Sequence, residues 1–183
     1  MIFIIPTNTC FWIWCFIDDI ENYNNIYKIK NRSFDKPLVI FIKDFLYIEK
    51  YMDLSKKQID FLKNYEKPFT FLIDKDKFKD DLVLKKIEKL PNKDKYKKLA
   101  FRVVHEQIHK KLIEQNWPFF LTSANKSSQS EIKSLEKIKQ VFKNDIEKYN
   151  IKIFDDGIFE IKSPYAHSEI FEFTKDGLHY IRK

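Results

Sequence analysis

The residues of this sequence best suited to binding chemistry are its three arginines. Arginine occurs only at positions 32, 102 and 182, although the chain has 34 lysines and arginines together. A guanidinium is a planar, permanently charged fork that pairs with phosphate or carboxylate through two hydrogen bonds. Arg32 also follows Lys30 closely, and two neighbouring cations can hold a phosphate chain. We therefore expect the arginines to mark anion-binding sites.

Short hydroxyl and amide side chains interrupt or end the apolar runs. They are Thr7, Thr9, Ser123, Asn125 and Ser168. Ligands of open α/β sheets bind where loops leave the strands, so this placement favours a pocket. Each motif alone also fits a simpler role, because KIKNR is typical of a solvated helix end and SAN of an ordinary turn.

The composition indicates a folded, basic protein. Of the 183 residues, 44% are hydrophobic and 33% are charged, with a formal net charge of +7 and a pI near 9.1. This balance excludes extensive disorder and favours polyanionic partners such as nucleotides or RNA. Lysines on solvated helix faces account for much of the charge equally well.

Several classes of site are excluded by what the sequence lacks. With Gly157 and Gly177 as its only glycines, the chain cannot form a Walker phosphate loop, and it has no zinc-binding pattern. Cys10 and Cys15 have no metal-ligand spacing and fit burial in a reducing compartment. The polar residues 6–9 interrupt the first apolar run, which argues against a signal peptide or a membrane span. We expect a cytoplasmic protein with no protein-held metal and no membrane partner.

Apolar runs with strand character alternate with amphipathic helical patterns along the chain. We predict strands in residues 1–5, 10–17, 37–42, 69–73, 99–104 and 118–125, and in the closing segments IKIFDDG, SEIFEF and LHYIRK. We predict helices from Asp18 or Asp19 to about Lys30, after an N-cap at Ser55, over 105–116 and over 130–149, with exposed helix and loop in 75–98. The alternation predicts one α/β domain over residues 1–183, with a twisted, mixed, open sheet flanked by helices.

Several of these segments, taken in order, carry a resemblance that covers nearly the whole chain. The segments are PTNTCFWIWC at 6–15, IYKIKNRSFDKPLVIFI at 26–42, YEKPFT at 65–70, LAFR at 99–102, SANKSS at 123–128, DDG at 155–157, SEIFE at 168–172 and YIR at 180–182. In this order the sequence resembles the YrdC family, the threonylcarbamoyl-AMP synthases of tRNA modification. The resemblance implies a YrdC-like domain with a concave basic pocket.

The activity implied by this resemblance joins L-threonine, bicarbonate and ATP into threonylcarbamoyl-adenylate and releases pyrophosphate. Mg²⁺ assists, and the product passes to a tRNA threonylcarbamoyl-transferase complex, so contact with tRNA is also expected. The protein's task is mainly to position the reactants and to offset phosphate charge. The residues indicate no obvious general base, so the catalytic residue is left open.

The resemblance also assigns residues to the two substrates. Those expected to bind the ATP phosphates and nucleotide are Lys30, Arg32, Lys36, Ser123, Asn125 and Arg182. Those expected to surround the threonine are Thr7, Thr9, Arg102 and Ser168, with Arg102 suited to its carboxylate.

The chain departs from the family pattern in the first of these motifs. The acidic residue between the family's two threonines is Asn8 here, and Phe11–Trp14 replaces Tyr-Gly-Leu-Gly. Trp12 and Trp14 therefore either line the threonine pocket or turn into the core. Two other functions stay open: a non-catalytic protein that binds RNA or nucleotides, and a carbamoyl-adenylate enzyme with another acceptor.

Overall fold

The computed structural model describes residues 1–103, 118–155, 157–165 and 167–183. Across them runs a wide, twisted, mixed sheet in the order β7-β1-β2-β6-β3-β5-β4-β8-β9. The strands are β1 (Ile2–Pro6), β2 (Phe11–Phe16), β3 (Val39–Ile42), β4 (Phe69–Asp74), β5 (Lys98–Val103), β6 (Phe119–Ser123), β7 (Lys152–Ile153), β8 (Glu169–Thr174) and β9 (Gly177–Arg182). The predicted fold class, a single mixed α/β domain, is confirmed, whereas the domain bounds 1–183 stay a prediction.

The pairing explains why the sheet is mixed. β3 lies parallel to β5 and antiparallel to β6, and β1 pairs antiparallel with β2 and parallel with β7. β2 and β6 are antiparallel, with Trp12 opposite Ser123. This pairing places the two polar segments that follow β1 and β6 at the same end of their strands.

Helices flank the sheet, and side-chain caps begin most of them. They are α1 (Ile20–Lys30), α2 (Phe45–Tyr51), α3 (Lys56–Lys63), α4 (Asp81–Ile87), α5 (Leu135–Val141) and α6 (Lys143–Lys148), with a 3₁₀ turn at Lys75–Lys77. Ser55 begins α3 with a complete capping box to Gln58, as predicted. The side chain of Asp19 caps α1 by accepting from the backbone N–H of Asn22. The short helix α2 was not predicted.

The single helix predicted over 130–149 is wrong in two respects. Residues 130–134 are extended, because the carbonyl of Ile132 accepts from the backbone N–H of Phe11 at 2.9 Å. Ser134 then caps α5, and Phe142, at φ −105° and ψ 14°, separates α5 from α6. The helix predicted over 105–116 lies outside the described residues.

The two faces of β2 belong to different apolar clusters. Phe11, Ile13 and Cys15 join the main core, which also holds the buried face of α1. Trp12 and Trp14 point to the opposite face and join a second cluster with Phe3, Ile5, Cys10, Phe41, Phe119 and Leu121. Both tryptophans are therefore packed within the protein, on the side of the sheet away from α1.

Candidate functional site

An open cleft of about 440 Å³ contains every residue predicted to bind ATP. Its volume lies within the range of small-molecule sites. The lining residues are Lys30, Arg32, Lys36, Ser123, Asn125, Ser127, Ser128, Gln129, Ser130, Glu131, His167 and Arg182. Segments far apart in the sequence thus meet around one space, with four lysines and arginines and one carboxylate in its walls.

The end of α1 brings two of these cations into the cleft. Lys30 is the last helical residue, and Asn31 follows in the left-handed region at φ 51°. Asparagine tolerates that conformation, which is common just after a helix. The N–H of Arg32 then donates to the carbonyl of Tyr27 at 2.9 Å. The turn therefore directs the chain from Lys30 straight to Arg32.

Lys30 ties α1 to the loop that follows β6. Its side chain is buried, and Nζ donates to the carbonyl oxygens of Ser123 at 2.5 Å and Asn125 at 2.6 Å, and to Oδ1 of Asn125 at 3.0 Å. Burial, and secondarily the charge of Arg32, lowers the pKa of Lys30 to about 7. Burial thus favours the neutral amine of Lys30, whereas the three hydrogen-bond acceptors favour its protonated form.

The loop after β6 is shaped by its own hydrogen bonds. Ser123 donates through Oγ to Oδ1 of Asn125 at 2.7 Å, and Nδ2 of Asn125 donates to the carbonyl of Gln129 at 2.5 Å. Ser128 has a left-handed φ of 65°, a conformation more usual for glycine. The loop curls into a wall of the cleft that is rich in hydroxyl groups.

Arg32 is held in the cleft by the backbone of its own loop. Its Nε donates to the carbonyl of Lys36 at 3.1 Å, and Nη2 donates to that of Pro37 at 3.0 Å. Beneath the loop, the hydroxyl of Tyr27 donates to the same Lys36 carbonyl at 2.9 Å. Nδ2 of the buried Asn92 donates to the carbonyl of Phe34 at 2.9 Å. The loop that carries Arg32 and Lys36 is thus fixed from below.

Arg182 reaches the cleft from β9 and is paired with Ser168. Its Nε and Nη2 donate to the Ser168 carbonyl at 3.0 and 2.6 Å, and Nη2 also lies 3.2 Å from Oγ of Ser168. Nη1 is 3.7 Å from Oε1 of Glu131. Ser168, predicted to contact threonine, therefore lies beside a residue that was predicted to contact the nucleotide.

The other residues predicted to bind threonine form a tighter cluster near β2. Thr7 donates from Oγ1 to the carbonyl of Cys10 at 2.7 Å, and its Oγ1 is 3.3 Å from that of Thr9. Nη2 of Arg102 donates to Oδ1 of Asn8 at 2.8 Å. Asn8, which replaces an acidic residue, thus acts as a neutral acceptor for Arg102.

Trp12 completes this cluster. The guanidinium carbon of Arg102 lies 4.0 Å from the centre of a Trp12 ring, a cation–π contact. Nε1 of Trp12 donates to Sγ of Cys10 at 3.1 Å. Burial raises the pKa of Cys10 to about 12, so its sulfur stays a thiol. Trp12 therefore contacts Arg102, one of the residues predicted to bind threonine.

Trp14 packs two residues further along the same face. Its ring stacks on Phe3, with centroids 4.2 Å apart, and it also packs against Phe119 at 4.6 Å. It is fully buried. Of the two tryptophans that replace family glycines, Trp12 borders the cluster around Arg102 and Trp14 is a core residue.

Comparison with known protein families decides the identity of the chain. The model of the Sua5/YciO/YrdC family, described as "Telomere recombination", matches residues 1–183. The chain belongs to the Sua5/YciO/YrdC family. No curated protein matches the sequence significantly.

Solved structures show the same fold at low sequence identity. P. abyssi Sua5 complexed with L-threonine is 21% identical, with a TM-score of 0.73, over 99% of this chain and 49% of that one. Full-length HypF in a phosphate- and nucleotide-bound form is 19% identical, with a TM-score of 0.72, over 99% and 26%. E. coli YciO is 18% identical, with a TM-score of 0.73, over 100% and 82%. The chain spans about half of the matched Sua5 chain.

Some residues of this Sua5/YciO/YrdC domain that shape the cleft were not predicted from the sequence. Glu131 and His167 line it, Asn8 contacts Arg102, and Asn92 supports the loop of Arg32. Sequence position points to three of them, because Glu131 follows SANKSS, Asn8 lies between Thr7 and Thr9, and His167 precedes Ser168. Asn92 reaches the site only through folding over a long sequence distance.

The structure gives two further findings on metal and membrane. In the described residues, no group of three or more His, Cys, Asp or Glu side chains could hold a metal ion. The described helices are all too short or too polar to cross a membrane.

Proposed function

We propose that this chain forms threonylcarbamoyl-adenylate from L-threonine, bicarbonate and ATP, for the threonylcarbamoyl-adenosine (t6A) modification of tRNA. The observation that carries the proposal is the cleft: all six residues expected to bind ATP line it. Family membership supports the reaction type. The L-threonine complex of Sua5 and the nucleotide-bound HypF have the same fold.

In this proposal the cations of the cleft bind and orient the triphosphate. Lys30, Arg32 and Lys36 offset its negative charge, and the hydroxyls of the Ser123 loop donate to phosphate oxygens. The amino nitrogen of threonine first bonds to the carbon of bicarbonate, and water is lost to give the carbamate. A carbamate oxygen then attacks the α-phosphorus, the bond from the α-phosphorus to the oxygen that bridges to the β-phosphate breaks, and pyrophosphate leaves. The cations favour the leaving group because they neutralise charge that builds up on it.

Thr7, Thr9, Arg102 and Ser168 are the residues we assign to threonine. Arg102 is buried and fixed by Asn8 and Trp12, so its position does not depend on the ligand. A guanidinium held in this way suits a carboxylate. Ser168 reaches the same substrate only if threonine lies close to Arg182, because the two residues are hydrogen-bonded.

Magnesium enters this proposal as the counter-ion that ATP brings. Mg²⁺ is commonly bound through substrate phosphates with few protein ligands. The described residues offer no carboxylate cluster for it, so no step is assigned to a protein-held metal.

The decisive experiment measures pyrophosphate release by the pure protein. With ATP, bicarbonate and Mg²⁺, release is expected only when L-threonine is added. The net charge of +7 favours the alternative, a non-catalytic protein that binds RNA or nucleotides. Absence of release, together with RNA binding that weakens steeply with salt, would establish that alternative. Release with another amino acid but not threonine would establish a different acceptor.

A second experiment tests the phosphate site directly. Arg32→Ala is expected to abolish ATP binding while the far-UV circular dichroism stays unchanged. Lys28→Ala, an exposed residue of the same helix, is the matched control and should bind ATP normally. Unchanged affinity of Arg32→Ala would place the phosphates elsewhere. The transfer complex that accepts the product and any contact with tRNA also belong to this proposal.

A further inference from the structure

The cleft that contains Lys30 and Arg32 also contains two buried polar atoms without a hydrogen-bond partner among the described residues. They are Oε2 of Glu131 and Nδ1 of His167, and both residues line the cleft. Most buried polar side-chain atoms in proteins are hydrogen-bonded, because burial without a partner costs free energy. Two exceptions in the walls of one cleft indicate a ligand that bonds to them.

The chemistry of these atoms defines the group that they accept. An ionised carboxylate is purely an acceptor, and Nδ1 of a neutral histidine accepts when the proton is on Nε2. Glu131 therefore calls for a hydrogen-bond donor on the ligand, and His167 calls for a second one in that tautomer. Glu131 and His167 thus differ from the lysines and arginines of the cleft, which donate hydrogen bonds to acceptor atoms of a ligand.

The charge around Glu131 favours neutral donors over a cation. Its Oε1 is already 3.7 Å from the guanidinium of Arg182, and the ammonium of Lys30 interacts with it favourably. A further cation would be repelled by both neighbours. A hydroxyl group, by contrast, donates to the carboxylate without adding charge.

The cleft as a whole thus suits a molecule with phosphates and with neutral hydroxyl donors beside them. A nucleotide has this arrangement, and carboxylates bind the ribose hydroxyls of nucleotides in other folds. We propose that Glu131 and His167 form the ribose subsite of this cleft and accept hydrogen bonds from the 2′ and 3′ hydroxyls. The inference rests on the proposed function, because it takes the ligand to be ATP.

The test compares ligands that share phosphates but differ in ribose hydroxyls. Dissociation constants for ATP, 2′-deoxy-ATP, 3′-deoxy-ATP and inorganic tripolyphosphate are measured by calorimetry. The wild-type protein is expected to bind ATP about tenfold more tightly than at least one deoxy analogue, the loss typical of a hydrogen bond to a charged group. Tripolyphosphate reports on the phosphate site alone.

Substitution of the carboxylate should remove this preference. Glu131→Ala is expected to lose the preference for ATP over the analogue that lacks the hydroxyl bound by Glu131, while the preference due to His167 remains. It should bind tripolyphosphate at least as well as wild type, because a negative charge is lost. Glu131→Gln keeps one acceptor oxygen and the side-chain shape, so its preference should be intermediate. Glu136→Ala, at an exposed position of α5, is the control and should behave as wild type.

Three results would overturn the proposal. One is equal binding of ATP and both deoxy analogues by wild type. Another is a Glu131→Ala variant that loses affinity for tripolyphosphate as much as for ATP, which would indicate a structural role. The third is loss of threonine binding alone, which would assign the carboxylate to the amino group. Failure of the proposed function is distinguishable, because it would appear as absent threonine-dependent pyrophosphate release, whereas the ribose subsite is read from binding alone.

Discussion

The two regions predicted to bind substrate are built in contrasting ways. The cleft around Lys30 is open and walled by cations, hydroxyls and backbone loops. The cluster around Arg102 is closely packed, and Trp12 covers its guanidinium. Arg102 is only 4% exposed and Trp12 only 5% exposed. The region proposed for the nucleotide thus keeps polar groups around an open space, whereas the region proposed for the amino acid has a large ring where the family has glycine.

The contrast teaches that the two halves of the proposed site tolerate different changes. A phosphate site needs positive charge and donors, which lysines and short loops supply in many arrangements. An amino-acid pocket needs a defined shape, which one tryptophan can alter.

The largest effect is expected at Trp12. Trp12→Ala should lower the free energy of unfolding by about 3–5 kcal/mol, because a buried ring leaves a cavity and Arg102 loses its stacking partner. Trp12→Phe is the control, since it keeps a ring against Arg102. Denaturant titration measures both, and an unchanged midpoint for the alanine variant would show that the cluster is not packed as described.

The next largest effect is expected at Lys30, in the wall of the open cleft. Lys30→Met should weaken tripolyphosphate binding by about 10- to 100-fold, because it removes a buried positive charge beside the cleft and three charged hydrogen bonds that hold the loop after β6. Lys28→Met makes the same change at an exposed position of α1 and should leave affinity within about twofold of wild type. Calorimetry compares the two, and equal affinities would exclude Lys30 from the phosphate site.

The pH dependence of binding follows from the lowered pKa of Lys30, about 7 in the free protein. Bound phosphates raise this pKa, so binding takes up a proton above pH 7. Affinity is therefore complete well below pH 7 and falls as the pH rises through that value, by about fivefold between pH 7 and 8. Lys30→Arg keeps a permanent charge and should retain only the pH dependence of the ligand. An equal slope in both proteins would contradict the assignment.

The smallest effect on phosphate binding is expected for Asn92, because it supports the loop of Arg32 and Lys36 through a hydrogen bond and is not among the residues that line the cleft. Asn92→Ala removes the bond to the Phe34 carbonyl and loosens the loop of Arg32 and Lys36. We expect tripolyphosphate affinity to fall by about threefold, within the range for residues in one hydrogen-bond network. Asp94→Ala, exposed in the same segment, controls for local charge. No change in Asn92→Ala would mean that the loop is held by other contacts.

Much of the fold could be predicted from the sequence because local signals were strong. The apolar runs FTFLI and LAFRVV gave strands, and Ser55 with Gln58 gave a capping box that the structure contains. The helix predicted over 130–149 was too long. Its apolar stripe begins at Ile132, before the N-cap Ser134, but a backbone hydrogen bond from Phe11 to the carbonyl of Ile132 keeps that part out of the helix. Local periodicity cannot show a backbone bond to a distant strand.

The site was predictable where its residues are cations or belong to the motifs of the family resemblance. Lys30, Arg32 and Arg182 drew attention by their charge, the resemblance assigned them to the nucleotide, and the fold brings them together. Glu131 and His167 were missed, because a single carboxylate or imidazole has no diagnostic spacing. Trp12 could be recognised as unusual, but its contact with Arg102 depends on the pairing of strands distant in sequence.

The position of Arg182 in β9 links the cleft to the margin of the sheet. Among the described strands β9 is the last in the sheet order and pairs only with β8. Edge strands open more easily than central ones, because fewer bonds hold them. A nucleotide bound to Arg182 would therefore stabilise this edge of the sheet. Its binding should slow amide hydrogen exchange in β8 and β9.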